Sequence, residues 1–260
     1  MNEQHDSGPV DILCVAAHPD DAELYAGGTL IRTIDNGGSV AICDLTKGEM
    51  ASRGTVETRR AETETACKIL GVPFETHRVN LGLPDGRLTD SNEAIEKLVA
   101  VIRRFAPDIL LVPSPEDRHP DHGAANRIGR RAWYLAGLVN FESDHPDENP
   151  AHRPRLLLEF DHVRESEPDV VVDISAQYER KVRAIEAYGT QFGTDTDDTE
   201  SVATLIADPS FARGMTARMQ RLGFQIGCAY GEGFSLVGSP VPLNDLRDLL
   251  GVAGNKGRPV

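Results

Sequence analysis

The chain has 260 residues, 40% of them apolar and 26% charged, a balance that suits a globular fold and excludes collagen-like, coiled-coil and wholly disordered chains. Forty-one acidic against 27 basic side chains leave a net charge of −14, which argues against a nucleic-acid-binding surface and against anionic membranes. No uninterrupted apolar run is long enough to span a bilayer and the polar start MNEQHDSGPV lacks a signal-peptide pattern, so the sequence points to a cytoplasmic protein.

The first half alternates strand and helix. Asp11 to Ala17 reads as a buried strand, and Leu24 to Asn36 as a helix stopped by Gly37-Gly38. Val40 to Leu45 is a second strand, Val56 to Leu70 a helix ending at Gly71, and Thr76 to Asn80 a third strand. Asn92 to Phe105 carries Ile95, Leu98, Val99 and Ile102 on one helical face. Asp108 to Pro113 is a fourth strand and Gly123 to Leu138 a further helix. Beyond them, Arg155 to Phe160 and Val170 to Ile174 read as strands, and Ala176 to Tyr188 and Pro209 to Gly223 as helices. The acidic run Thr194 to Glu200 reads as a mobile loop and Ala253 to Val260 as a frayed end. This order predicts an α/β fold, a Rossmann-like, mostly parallel sheet with helices on both faces. One domain over 1–260 is expected, with a core of about 10–190 and a C-terminal elaboration over about 191–250.

The four cysteines, Cys14, Cys43, Cys67 and Cys228, have no Cys-x-x-Cys pairing and read as reduced thiols, not zinc ligands. Histidine and aspartate are another matter. Open parallel sheets bind ligands beyond the carboxyl ends of their strands. The loop after the first strand holds His18, Asp20 and Asp21, and the loop after the fourth holds His119, Asp121 and His122. A single His-Pro-Asp is common in turns; two such clusters in one half-sheet, in loops that meet if their strands are neighbours, make a catalytic centre. A catalytic zinc ion takes three nitrogen or carboxylate ligands and leaves a position for water. His18, Asp21 and His122 could supply them, with Asp20 as general base. His119, protonated, could stabilise an oxyanion or donate to a leaving amine, with Asp121 setting its tautomer. The remaining histidines, His5, His77, His145, His152 and His162, fall in surface or packing positions. The glycine fingerprint for a dinucleotide is missing, as are the phosphate-cradling loop and the serine-hydrolase elbow.

The run Ala17-His18-Pro19-Asp20-Asp21-Ala22-Glu23 with Gly27-Gly28-Thr29, and the run His119-Pro120-Asp121-His122, resemble the two signatures of the LmbE-like, or PIG-L, family of zinc-dependent N-deacetylases. Thr46-Lys47-Gly48-Glu49, Arg53-Gly54, Arg59-Arg60-Ala61-Glu62 and Leu81-Gly82-Leu83-Pro84-Asp85-Gly86 extend the likeness, and Gly231-Glu232-Gly233-Phe234 is similar to the bacillithiol-biosynthesis branch. The resemblance implies a Rossmann-like fold and one Zn²⁺ per subunit on His18, Asp21 and His122. It implies Asp20 as base, and His119 at the tetrahedral intermediate, oriented by Asp121. The implied substrate is a small N-acetylglucosamine conjugate, foremost N-acetylglucosaminyl malate. The alternatives are an amidase acting on a thiol conjugate or another acyl-sugar, and a non-catalytic sugar-binding protein of the same fold. A homo-oligomer is implied too, a hexamer in that branch. Arg53 is a candidate contact for the malate carboxylates, and Tyr188 resembles a family tyrosine whose hydroxyl assists the oxyanion.

Overall fold

The computed structural model describes residues 8–141, 150–160, 167–193 and 204–238. Short apolar runs ending in polar loops become strands, and amphipathic segments become the helices between them. In chain order these are β1 (Ile12–Ala16), α1 (Asp21–Asp35), β2 (Val40–Thr46), α2 (Val56–Leu70), α3 (Phe74–His77), β3 (Arg78–Leu83), α4 (Asn92–Phe105) and β4 (Ile109–Pro113). They continue as α5 (Pro120–Ala136), β5 (Leu156–Phe160), β6 (Val170–Asp173), α6 (Tyr178–Glu186), α7 (Gly189–Phe192), α8 (Pro209–Gln225) and β7 (Gly231–Leu236). The seven strands form one sheet in the order β3-β2-β1-β4-β5-β7-β6. Pairing is parallel from β3 through β5, and β7 runs antiparallel to both β5 and β6.

Alternate strand residues feed two cores, as the period of two in a strand requires. Leu13, Val15, Cys43 and Leu45 pack with Leu98 and Phe105 of α4 and Ile128 of α5. On the opposite face, Ile12, Cys14 and Ile42 pack with Ala26 and Leu30 of α1 and Leu70 of α2. All four cysteines are free thiols; Cys14, Cys43 and Cys67 are buried and Cys228 is partly exposed. His152 packs as expected, its Nε2 lying 2.8 Å from the Pro107 carbonyl. His5, His145, His162, the acidic run 194–200 and the end 253–260 lie outside the described residues. Among the described residues, no helix is long and apolar enough to cross a membrane.

Several elements depart from the sequence expectation. The helices α1 and α5 begin three residues early, because their first turns are built from polar motif residues that carry no apolar period. The third strand sits at Arg78–Leu83, after a short helical turn over Phe74–His77; buried Arg78 anchors it. The helix expected over Ala176 to Tyr188 ends at Glu186, and Tyr188 caps α7 instead. The strand β7 was not anticipated, since its two glycines depress strand propensity. It forms because Glu232 and Phe234 are buried there and Gly233 admits Pro168 and Leu222, which would stand 3.0 and 3.2 Å from a Cβ.

An ion pair is set into the hydrogen-bond ladder of α1. Lys181 and Glu232, both nearly inaccessible, meet at 2.5 Å. Glu232 accepts the backbone amides of Gly28 and Thr29 at 2.8 and 2.7 Å, and Lys181 donates to the Leu24 carbonyl at 2.7 Å. Side chains from α6 and β7 thus replace part of the local backbone pairing and pin the N-terminal half of α1 to the rest of the molecule. Gly28 makes the approach possible, since a Cβ there would lie 2.8 Å from Ile174.

Candidate metal centre and active site

The strands β1 and β4 are hydrogen-bonded neighbours at the centre of the sheet. The chain leaves them in opposite directions, β1 toward β2 and β4 toward β5, which is the switch point where open α/β sheets form their ligand crevice. The two His/Asp loops therefore meet. His18 and Asp20 precede α1, whose first residue is Asp21; His119 caps α5, and Asp121 and His122 lie in its first turn.

Within this crevice, Asp21 bridges two imidazoles, with Oδ2 3.5 Å from His18 Nδ1 and Oδ1 3.4 Å from His122 Nε2. The His18 amide donates to Asp21 Oδ2 at 2.9 Å. One ring nitrogen from each of His18, His119 and His122 lies within 4.8 Å of the other two. His18 Nε2 also faces two further carboxylates, Asp85 at 3.0 Å and Asp121 at 3.6 Å. Those three residues form a second group of potential ligands within 4.8 Å. The other face of His122 is covered by Asp117, with Oδ1 3.1 Å from Nδ1, the carboxylate–imidazole arrangement that orients metal ligands.

Charge is concentrated to match. Burial works against protonation of His18, yet Asp121, Asp21 and Asp85 hold its imidazole well above the usual range. Asp21 and Asp117 likewise lift His122 to about 9 against its burial. Despite burial, Asp21 itself is held well below the ordinary carboxylate range by His122 and His18. Carboxylates that force protons onto buried imidazoles provide the field in which a divalent cation replaces those protons. His18 Nε2 is buried and makes no aligned hydrogen bond, and the imidazole–carboxylate donor set suits zinc, iron, cobalt or manganese. The residues present fit a divalent metal. Replacing His122 with alanine should lower bound metal per chain at least tenfold, measured by atomic emission after dialysis against a weak chelator; unchanged metal content would remove His122 from the ligand set.

Asp20 stands apart from this cluster in its backbone. Its φ of 126° is in a region that side chains rarely adopt, and it caps α1 without a side-chain hydrogen bond. Such strain costs on the order of 1–3 kcal/mol and collects at functional positions. Burial pushes the carboxyl up to about 7, opposed by Arg59 and reinforced by Asp21, so its proton affinity suits a base working near neutral pH. Arg59 Nη1 reaches Asp20 Oδ2 at 3.3 Å and the Pro19 carbonyl at 2.8 Å.

His119 is arranged differently from the sequence expectation. Its Nδ1 accepts the Asp121 backbone amide at 3.3 Å as the helix cap, which leaves Nε2 to carry the proton of a neutral ring. Burial, then the charges on His18 and His122, push its pKa down. The Asp121 carboxylate accepts the amides of Gly86 and Leu88 at 2.7 and 3.2 Å and turns toward His18. It is thus the Asp121 backbone amide, not its carboxylate, that meets the His119 ring.

A cavity of about 200 Å³ opens over these residues, with Leu24, Tyr25, Met50, Arg118, Gln191 and Phe211 in its walls. Arg53 and Tyr188 are not among the lining residues. Arg53 is 9% exposed and its carbonyl accepts from Gln191, so it supports the wall from behind. Tyr188 is fully buried; its hydroxyl donates to Glu23 Oε1 at 3.2 Å and its ring lies 5.9 Å from the Arg59 guanidinium. Glu23 also pairs with Arg78 at 2.5 Å, and Arg78 grips Asp44 through Nε at 2.8 Å. That buried ionic cluster consumes the tyrosine hydroxyl. Sequence reasoning missed Asp85, Asp117 and Arg59 as site residues. Asp85 carried a usable signal, since it follows β3 on the same edge of the sheet as the two histidine loops.

Comparison with known proteins agrees with this geometry. The family model PIG-L, described as GlcNAc-PI de-N-acetylase, matches residues 13–133, which hold both motifs. The chain is 34% identical over 194 residues to a diacetylchitobiose deacetylase of Thermococcus kodakarensis, covering 71% of each chain. It is 29% identical over 204 residues to a probable N-acetyl-α-D-glucosaminyl L-malate deacetylase of Bacillus cereus, covering 73% of this chain and 87% of that one. Among solved structures, a conserved protein of Thermus thermophilus superposes with a TM-score of 0.78 at 37% identity, over 91% of this chain and 97% of that one. With the two motifs converging at the switch point and a matching relative across most of its length, the chain belongs to the PIG-L, or LmbE-like, family of N-deacetylases, hydrolases of amide bonds.

Proposed function

We propose that the chain removes the acetyl group from an N-acetylglucosamine conjugate, with N-acetylglucosaminyl malate in bacillithiol synthesis as the leading substrate. The observation that carries this reading is the convergence of two imidazoles and Asp21 beside strained, buried Asp20. His18, Asp21 and His122 would hold the cation. A divalent ion, zinc foremost, would polarise the acetamide carbonyl and acidify water at this site. Asp20 removes a proton from the attacking water as the new C–O bond forms, and Arg59 holds its carboxylate in place. His119 donates from Nε2 to the developing oxyanion as a neutral imidazole. The proton carried by Asp20 then passes to the nitrogen as the C–N bond breaks, releasing acetate and a free amine. Asp117 orients His122, and Asp121 fixes His119 through its amide. Arg53 acts behind Gln191, and Tyr188 acts through Arg59.

The second reading, a diacetylchitobiose-type substrate, is favoured by the Thermococcus relative at 34% identity. Amine release from N-acetylglucosaminyl malate, N,N′-diacetylchitobiose and N-acetylglucosamine by zinc-loaded protein separates the two. A kcat/KM at least tenfold higher on the malate conjugate than on the other sugars is expected. Preference for the disaccharide would replace the first reading with the second, and release from none of them would refute both.

A further inference from the structure

Arg59 has a second side. A cavity of about 360 Å³, larger than the one above the metal centre, runs between α2, the carboxyl end of β2 and the first residues of β3. Four cationic residues, Lys47, Arg59, Arg60 and Arg78, line it beside one carboxylate, Asp44. The catalytic cavity balances Asp20, Asp21, Asp85 and Asp117 against Arg59, Arg118 and three histidines.

The four cations are not equally committed. Arg78 is neutralised by Glu23 and Asp44. Arg60 meets Glu75 at 3.5 Å, but both side chains are largely exposed, so that pair is weak and easily exchanged. Lys47 makes no hydrogen bond or ion pair with any described residue. Arg59 spends Nη1 on Pro19 and Asp20, while its buried Nε stands 3.9 Å from Glu62 and makes no hydrogen bond. Lys47 and Arg60 therefore remain as donors, from the loop after β2 and from α2, with the Arg59 guanidinium in the wall between the two cavities. Val56, Phe74 and Val79 add an apolar wall. Cationic donors lining one cavity beside apolar surface supply the chemistry that holds an oxyanion with an apolar substituent.

We propose that this cavity binds a small organic oxyanion, a phosphate or carboxylate with a compact apolar group, and that its occupant acts on the catalytic site through Arg59. Arg59 lines both cavities, and it is the residue that holds Asp20. An anion drawing on its guanidinium changes how Asp20 is held, so occupancy alters turnover without competing for substrate. The coupling rests on the deacetylase reading; the binding does not.

Calorimetric titration of the metal-loaded protein with phenylphosphate, inorganic phosphate and benzoate tests the binding. Phenylphosphate should bind more tightly than inorganic phosphate. Lys47→Glu should weaken it at least tenfold, and His122→Ala should leave it unchanged, because that variant disturbs only the metal centre. Retention of full affinity in Lys47→Glu, loss of affinity in His122→Ala, or no binding of any probe at millimolar concentration would overturn the proposal. Turnover assays test the coupling. Saturating phenylphosphate should change kcat in the native protein and not in Lys47→Glu; a rise in KM alone, equal in both, would place the anion at the catalytic centre and overturn it. Should the protein deacetylate none of the sugars, the titration still decides the binding.

Discussion

Asp20→Asn protein should bind metal at the native level and lose turnover by about 10²–10⁴-fold, the usual contribution of a positioned base. The substitution is a clean one. Asn is among the few residues that tolerate positive φ, so the 126° backbone at this position is not further strained. It keeps an oxygen for Arg59 Nη1, now 3.3 Å from the carboxylate, and removes only the capacity to take a proton. The groups proposed to hold the metal, Asp21 and the imidazoles it bridges, are untouched. Metal content and kcat should therefore separate. Native turnover in this variant would dismiss Asp20 as the base, and a parallel loss of metal would reassign it as a ligand.

The second large effect lies away from the cavity. Lys181→Met leaves Glu232 charged and buried, with only the Gly28 and Thr29 amides to compensate it. Breaking one side of a buried pair typically costs about 3–5 kcal/mol, which for a chain of this size lowers Tm by roughly 10 °C. The double variant Lys181→Met/Glu232→Gln removes the stranded charge and should recover part of the loss. Metal affinity should fall along with stability in the single variant, because the first turn of α1 carries Asp21 and is held by the same clamp. Thermal unfolding followed by circular dichroism reads the shift. A change of less than about 2 °C would mean that the pair contributes little beyond what apolar packing would give.

The alternation of strands and helices was legible because strands buried on both faces are continuous apolar runs, as in Ile12–Ala16 and Ile109–Pro113. The position of the site followed from the loops after those two strands. Less was legible where the structure depends on distant partners. The strand Gly231–Leu236 is a poor strand by composition and is stabilised by Glu232 reaching α1, more than 200 residues earlier in the chain. Arg53 and Tyr188 carried the right chemistry for substrate contact, but side-chain direction is set by tertiary packing. Tyr188 is turned inward by the Glu23–Arg78–Asp44 cluster, and Arg53 sits behind Gln191. Asp85 and Asp117 lie in loops whose closeness to His18 and His122 depends on the order of strands in the sheet.

The most direct test follows acetate and free amine together in one reaction, by NMR, on an N-acetylglucosamine conjugate with zinc-loaded protein, then after chelation and after zinc is restored. Equal amounts of acetate and amine, abolished by the chelator and recovered with zinc, are the expected result. Release that persists in fully metal-free protein, or substrate consumed without acetate, would contradict a metal-dependent deacetylase built on His18, Asp20, Asp21 and His122.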